Sequence, residues 1–157
     1  MKSTAVSNQN QKGKKAAEDL ESLYETDETA WLEKMSRFIT KGQYERLDYK
    51  NLSEFLSDMA KRDKREVRSR LRVLLAHLLK WDFQPRKRSG SWSSTIRTQR
   101  ADLIDLLSSK TLKNHAQKIL NETYETAVKN AIDETGLPEE KFPAECPYTL
   151  DEILTTD

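Results

Sequence analysis

The spacing of apolar residues constrains this fold more than any other feature of the sequence. From Val67 to Leu78 apolar residues recur every three or four positions, and similar stripes occupy much of the chain. This is the period of an α-helix with one buried face, whereas strands would alternate apolar and polar residues. Glycine and proline, the residues most typical of turns, number only 4 each among 157 residues. The sequence therefore predicts long helices joined by short connections.

Capping residues predict where the first helices begin and end. A weak helix begins near Ala16, and Asp27 caps the first strong one. Gly42 suits the left-handed position just after that helix. Asp48 caps the next. Apolar positions at helical spacing in this part are Trp31, Met35, Phe38 and Ile39, followed by Leu52, Phe55, Leu56 and Met59.

A bend is predicted in the middle of the chain. The helix that follows Asp48 is expected to end near Arg62, because Asp63 and Glu66 form an acidic variant of the capping box. The next helix runs from about Lys64 to Phe83, where the following proline stops it. Its apolar positions are Val67, Leu71, Leu74 and Leu78, with Leu75 and Leu79 widening the stripe.

Two further helices and a tail complete the prediction. Ser91 or Ser93 caps a helix with apolar positions at Ile96, Leu103, Ile104, Leu106 and Leu107. Another helix spans about residues 111–135 and ends at Gly136. Thr149 and Glu152 form a capping box for a short helix in the tail.

These elements predict an all-α fold, an antiparallel bundle of four to five main helices with a short C-terminal helical tail. Residues 16–157 are expected to form a single domain. Residues 1–15 are polar, carry four lysines and no acid, and are interpreted as a disordered basic arm. There is no signal-peptide core or apolar stretch long enough to span a bilayer, and Cys146 is the single cysteine. We expect a cytoplasmic protein without a membrane partner.

Charge is distributed in blocks although the net charge is only +1. Residues 16–60 carry 5 basic and 11 acidic residues, and residues 101–157 carry 5 basic and 12 acidic residues. Between them, residues 61–100 carry 13 basic and 3 acidic residues. Asymmetry of this size points to an anionic partner.

The basic block offers two surfaces. One is a row on a single helical face, and the other follows the helix end. The candidate contacts to an anion or nucleic acid are Lys61, Arg65, Arg68, Arg72, Arg86, Lys87, Arg88, Arg97 and Arg100. Guanidinium groups present planar forks of donors to phosphates, and Trp81, Phe83 and Trp92 can stack on bases if exposed. Neutralisation of the basic face by neighbouring acidic helices stays open as the alternative.

A second set of polar residues shares one helical strip beside the core stripe, namely Arg70, His77 and Trp81. We interpret His77 as a histidine at the core edge, stacked on Trp81 and hydrogen-bonded to a backbone or carboxylate group. Proton transfer or metal ligation is the alternative role.

No motif assigns an enzymatic reaction. The sequence has no glycine-rich phosphate loop and no Glu-x-x-His pair of the kind that holds di-iron in bundles. Cys146 is interpreted as an unreactive thiol. No catalytic, cofactor-binding or metal-binding residue is assigned, and no cofactor is expected.

Four ordered motifs resemble a bacterial family of helical domains of unknown function, DUF twenty-nine. They are LYETDETAWLEKM at 23–35, HLLKWDFQP at 77–85, SWSSTIRTQR at 91–100 and ETGLPEEKFPAECPYTLDEIL at 134–154. The resemblance implies an all-helical bundle and brings no established activity. The chain departs from the family pattern at Thr29, where an aromatic residue is usual.

The sequence favours a non-enzymatic helical module that binds a protein or nucleic-acid partner through residues 61–100. One alternative is a metal-dependent nuclease or hydrolase that uses carboxylates and His77. The other is a structural subunit or homo-oligomer joined through an exposed apolar helix face.

Overall fold

A computed structural model describes residues 3–155, with side chains described from residue 11 onward. Within that range the chain forms helices and no strand. The helices are α1 (Ser3–Thr26), α2 (Glu28–Thr40), α3 (Tyr49–Phe83), α4 (Gly90–Leu106), α5 (Lys110–Thr135) and α6 (Leu150–Leu154). Single 3-10 turns lie at Tyr44–Arg46, Pro85–Lys87 and Glu139–Lys141. The predicted all-α bundle, with five main helices and a short C-terminal helix, is confirmed.

Helix α3 runs without interruption through the predicted bend at Asp63, so that prediction and the helix end near Arg62 are wrong. No glycine or proline occurs within α3 to interrupt its backbone hydrogen bonds. An aspartate inside a helix costs only ~0.7 kcal/mol relative to alanine, which is less than interrupting the backbone hydrogen bonds would cost. The helix ends before Pro85, as predicted.

Most predicted caps are confirmed. The Asp27 side chain accepts a hydrogen bond from the amide three residues on, at 3.0 Å. Gly42 and Gly136 follow α2 and α5 with φ of 66° and 69°, the left-handed region that glycine enters without a steric penalty. Thr149 and Glu152 form the complete capping box of α6.

The cap of α4 differs from the prediction. Ser89, rather than Ser91 or Ser93, accepts the hydrogen bond from the Trp92 amide at 3.3 Å. The connection forms a 3-10 turn that begins at Pro85, and the chain is extended at Ser89, where it can enter the helix.

Residue contacts divide the chain into two compact units, Met1–Met59 and Ala60–Asp157, with the boundary inside α3. We call them the N-terminal unit and the C-terminal unit. The assignment of residues 16–157 to a single domain stays a prediction.

The N-terminal unit has a small core built around Trp31. The side chains of Trp31, Met35 and Phe38 are all buried. The partly buried residues packed on them are Leu20, Leu23, Tyr24, Leu32, Leu47, Leu52 and Phe55. The indole Nε1 donates to Asp48, whose carboxylate also caps α3.

Three residues predicted for the apolar stripes of this unit are exposed instead. They are Ile39 at 46%, Leu56 at 58% and Met59 at 39%. Ile39 lies at the edge of the narrow stripe of α2, and α3 contributes only Leu52 and Phe55 to the core.

Helix α1 extends into residues that the sequence analysis assigns to a disordered arm. Alanine, glutamine and lysine favour helix at these positions. The side chains from residue 11 to residue 19 are all exposed, which agrees with the absence of apolar periodicity there.

The C-terminal unit contains the larger core, to which α3, α4, α5, α6 and the tail contribute. The predicted stripe of α3 from Val67 to Leu79 is buried, as are Leu103 of α4 and Leu107, which follows α4. Leu150 and Ile153 of α6 are also buried and fix the tail to this core. Ile104, predicted as an apolar core position, is 48% exposed because the buried face passes through Leu103 and, just beyond the helix, Leu107.

Candidate anion-binding groove

The basic row on α3 is neutralised in part by an acidic helix. The guanidinium of Arg68 pairs with Glu122 of α5 at 2.6 Å. Arg65 is exposed and Arg72 half-buried, and neither forms an ion pair with the side chains described, those of residues 11–155. Lys61 is exposed on the same helix. Glu122 therefore neutralises Arg68 but not Arg65 or Arg72.

The connection after α3 presents further cations. Arg86 and Lys87 lie in the 3-10 turn with exposed side chains. Arg88 follows the turn, and its Nε donates to the backbone carbonyl of Trp81 at 2.9 Å. Its guanidinium lies over the Trp81 ring, 4.7 Å from the ring centre. The side chain of Arg88 is thus held in one orientation although it is exposed.

A groove of about 590 Å³ brings Arg88 together with two other predicted contacts, Arg97 and Arg100. We call it the arginine groove. It is lined by Leu78, Trp81, Asp82, Arg88, Ser93, Ile96, Arg97, Arg100, Tyr148 and Glu152. The Nε of Arg100 donates to the carbonyl of Ile153 at 2.9 Å, whereas Arg97 is exposed. The volume lies within the range typical of ligand sites.

Two carboxylates share the groove without pairing with its arginines. Asp82 accepts a hydrogen bond from the Tyr148 hydroxyl at 2.5 Å. Glu152 accepts from the amide and the hydroxyl of Thr149 at 2.7 and 2.9 Å. Both acids accept hydrogen bonds from neutral donors, and the terminal amino groups of the three guanidiniums form no ion pair within the described residues.

The ionisation of two groups in the groove follows from these contacts. The hydrogen bond from the Thr149 backbone lowers the pKa of Glu152, which remains an anion at neutral pH. Burial, followed by the hydrogen bond to Asp82, raises the pKa of Tyr148. The phenol therefore stays protonated and continues to donate to Asp82.

The polar set Arg70, His77 and Trp81 is not a single site. Arg70 pairs with Glu66 at 2.9 Å and also with Asp102. His77 Nδ1 lies 2.9 Å from the Val73 carbonyl, which is the backbone hydrogen bond expected for a core-edge histidine. Trp81 belongs to the arginine groove.

A buried lysine was missed by the sequence analysis. Lys80 is only 2% exposed. Its ammonium pairs with Glu134 of α5, lies 3.3 Å from His77 Nε2 and lies 5.1 Å from the Trp92 ring centre. The sequence signal for it is its position directly after the largely apolar run Leu74–Leu79, where a buried cation needs partners.

The contacts of His77 define its charge state. With Nδ1–H donating to Val73 and Nε2 accepting from Lys80, the ring is neutral. Burial is the main cause of its lowered pKa, opposed by the Val73 hydrogen bond and reinforced by the Lys80 cation. Burial and the cations Lys64 and Arg68 likewise lower the pKa of His115.

Stability is expected to fall as the pH drops below the unfolded histidine value of 6.5. Both histidines have a lower pKa in the folded state, so below pH 6.5 the unfolded state binds more protons and is stabilised relative to the folded one. Above that pH, the histidines contribute no pH dependence. Urea denaturation between about pH 7 and pH 5 measures the effect. His77→Asn, which keeps a donor for Val73, should reduce the slope, and an unchanged slope would contradict the assignment.

Metal binding has no clear geometric basis in the described part of the chain. No group of three or more histidine, cysteine and acidic side chains lies close enough together there to hold an ion. Both ring nitrogens of His77 are engaged. The Cys146 thiol donates to the Tyr148 carbonyl at 3.3 Å, and burial raises its pKa.

Comparison with known proteins adds a family. The model described as "Domain of unknown function DUF29" matches residues 23–157, nearly the whole chain. No curated protein and no solved structure matches. None of the helices described is both long enough and apolar enough to cross a membrane.

Proposed function

Because the chain belongs to the DUF29 family of domains of unknown function, we propose its function from its own geometry. It is a non-enzymatic helical module that binds an anionic partner, protein or nucleic acid, through residues 61–100. The arginine groove is the centre of the binding surface. Arg86 and Lys87 on the adjacent turn extend it.

One observation carries this proposal. Three guanidiniums line one groove, and no carboxylate of the described residues forms an ion pair with them. Two of the three are also oriented, because Arg88 and Arg100 each use Nε on a backbone carbonyl. An anion binding there completes hydrogen bonds instead of displacing an existing ion pair.

Fluorescence polarisation with labelled DNA, RNA and an acidic peptide, at low and at moderate salt, tests the proposal. At least one probe should bind at low salt, and binding should weaken as salt rises. Arg97→Glu reverses the charge of one residue that lines the groove. Replacing Arg65, Arg68 and Arg72 tests the α3 row, and in nucleic-acid binding it should weaken affinity and reduce the salt slope.

Failure of every probe to bind at low salt would overturn the proposal, because electrostatic contacts are strongest there. Arg97 is exposed and forms no ion pair within the described residues, so its replacement should leave folding intact. Circular dichroism of each variant confirms this.

Self-association is a second candidate function, favoured by exposed apolar side chains in the N-terminal unit. Tyr44 is 57% exposed, Tyr49 62% and Leu56 58%. Sedimentation of the wild type and of Leu56→Glu tests it. A monomer at all concentrations would remove this candidate.

A further inference from the structure

We propose that the arginine groove binds an acidic peptide segment of a protein partner, with side-chain carboxylates held by Arg88, Arg97 and Arg100. This rests on the proposed function and narrows its ligand from any anion to a carboxylate-bearing peptide. Three features of the C-terminal unit favour a peptide over a nucleic acid. They are the orientation of the guanidinium groups, the mixed charge of the groove and the contacts that its aromatic rings already make.

The first feature is the orientation of the guanidiniums. In Arg88 and Arg100 the Nε–H bond to a backbone carbonyl fixes the plane of the group and leaves both terminal amino groups available. A carboxylate can accept two parallel hydrogen bonds from an arginine fork. Since these side chains are already ordered, binding loses less side-chain entropy than it would with mobile arginines.

The second feature is the mixed charge of the lining. Asp82 and Glu152 lie in the same groove as the three arginines. A nucleic-acid backbone repeats a charge at every nucleotide, so its phosphates would meet these carboxylates as well as the guanidiniums. A peptide can place neutral side chains at those positions, and the groove also offers the apolar residues Leu78 and Ile96.

The third feature is that the aromatic rings are already engaged. Trp81 carries the guanidinium of Arg88 on one face, and Trp92 carries the ammonium of Lys80. The ring of Phe83 packs edge-on against a second phenylalanine at 5.5 Å. Binding of single-stranded nucleic acid depends on open aromatic faces for base stacking. The two tryptophan rings instead contact cations, and Phe83 contacts a second aromatic ring.

The α3 row does not offer a nucleic acid an uninterrupted track. Arg68, in the middle of the row, is paired with Glu122. Arg65 and Arg72, on either side of it, do not line the arginine groove. Three arginines without an ion pair come together in the arginine groove, which suits a local cluster of carboxylates.

The test compares a labelled peptide that alternates glutamate with serine, so that neutral side chains can lie at Asp82 and Glu152, with an oligonucleotide of the same net charge. A second control is the same peptide with glutamine in place of each glutamate. Polarisation at low salt should show the glutamate peptide binding about tenfold or more tightly than the oligonucleotide, and no binding of the glutamine peptide. Arg97→Glu should weaken peptide binding by about tenfold. Arg65→Glu makes the same charge change outside the groove and should weaken it by less than about twofold.

The outcomes separate this inference from the proposed function. Tighter binding of the oligonucleotide, or equal loss with Arg65→Glu and Arg97→Glu, overturns the peptide inference and leaves an anion-binding module. Absence of binding by every probe overturns both. If Arg97→Glu loses helical circular dichroism, Arg97→Gln replaces it, with weaker peptide binding again expected and unchanged binding contradicting the inference.

Discussion

Trp31→Ala should reduce the free energy of unfolding of the N-terminal unit by about 3–5 kcal/mol, which is the usual cost of truncating a buried tryptophan. The side chain is fully buried, and its ring contacts Tyr24 at 4.7 Å and Phe55 at 6.0 Å between centres. Alanine would leave a cavity in the centre of a small core. It would also remove the hydrogen bond to Asp48.

Urea denaturation followed by circular dichroism measures this loss without relying on the removed fluorophore. Trp31→Phe should cost less, because it keeps most of the apolar volume but not the indole N–H. The matched surface control is Tyr44→Ala, at a residue 57% exposed, for which we expect a change within about 0.5 kcal/mol. A loss with Trp31→Ala no larger than this control would show that Trp31 is not the centre of the core.

Glu134→Ala should destabilise the C-terminal unit by about 3 kcal/mol, because it leaves the buried ammonium of Lys80 without a counter-charge. The two partners differ in exposure, with side chains 3% exposed for Lys80 and 51% for Glu134. Removing the exposed partner therefore strands a buried charge. Removing the buried partner, as in Lys80→Met, leaves a carboxylate that water can solvate and should cost much less.

Thermal and urea denaturation of the single variants and of the double variant Lys80→Met, Glu134→Gln check this asymmetry. The double variant should recover most of the stability lost in Glu134→Ala, since no buried charge remains. Equal losses in Glu134→Ala and Lys80→Met would contradict the account, as would a double variant less stable than either.

Local features of this fold could be predicted from sequence because their causes are local. Asp27, Gly136 and the Thr149–Glu152 box act within one helical turn, and each has the predicted role. The predicted apolar stripe of α3 is confirmed because helical spacing is also a local property of the sequence. The predicted bend at Asp63 is wrong because the capping signal there competes with continuation of the helix. No glycine or proline lies nearby to favour a break.

The arginine groove could be predicted only in part because it depends on distant contacts. The sequence identified Arg88, Arg97 and Arg100 as candidates by type. It could not show that Arg100 donates a hydrogen bond to the Ile153 carbonyl, 53 residues away. Nor could it show that the Tyr148 hydroxyl donates one to Asp82, 66 residues away. The tail thus supplies one wall of the groove and donates hydrogen bonds to both of its acids.

Arginine side-chain NMR, with the anionic probe that binds most tightly in polarisation, tests the central claim most directly. We predict that the Nε–H signals of Arg88, Arg97 and Arg100 shift together and saturate with one affinity. The signals of Arg65 and Arg72 should stay in place, because neither residue lines the groove. Shifts confined to Arg65 and Arg72, or small shifts of all arginines without saturation, would contradict binding at the arginine groove.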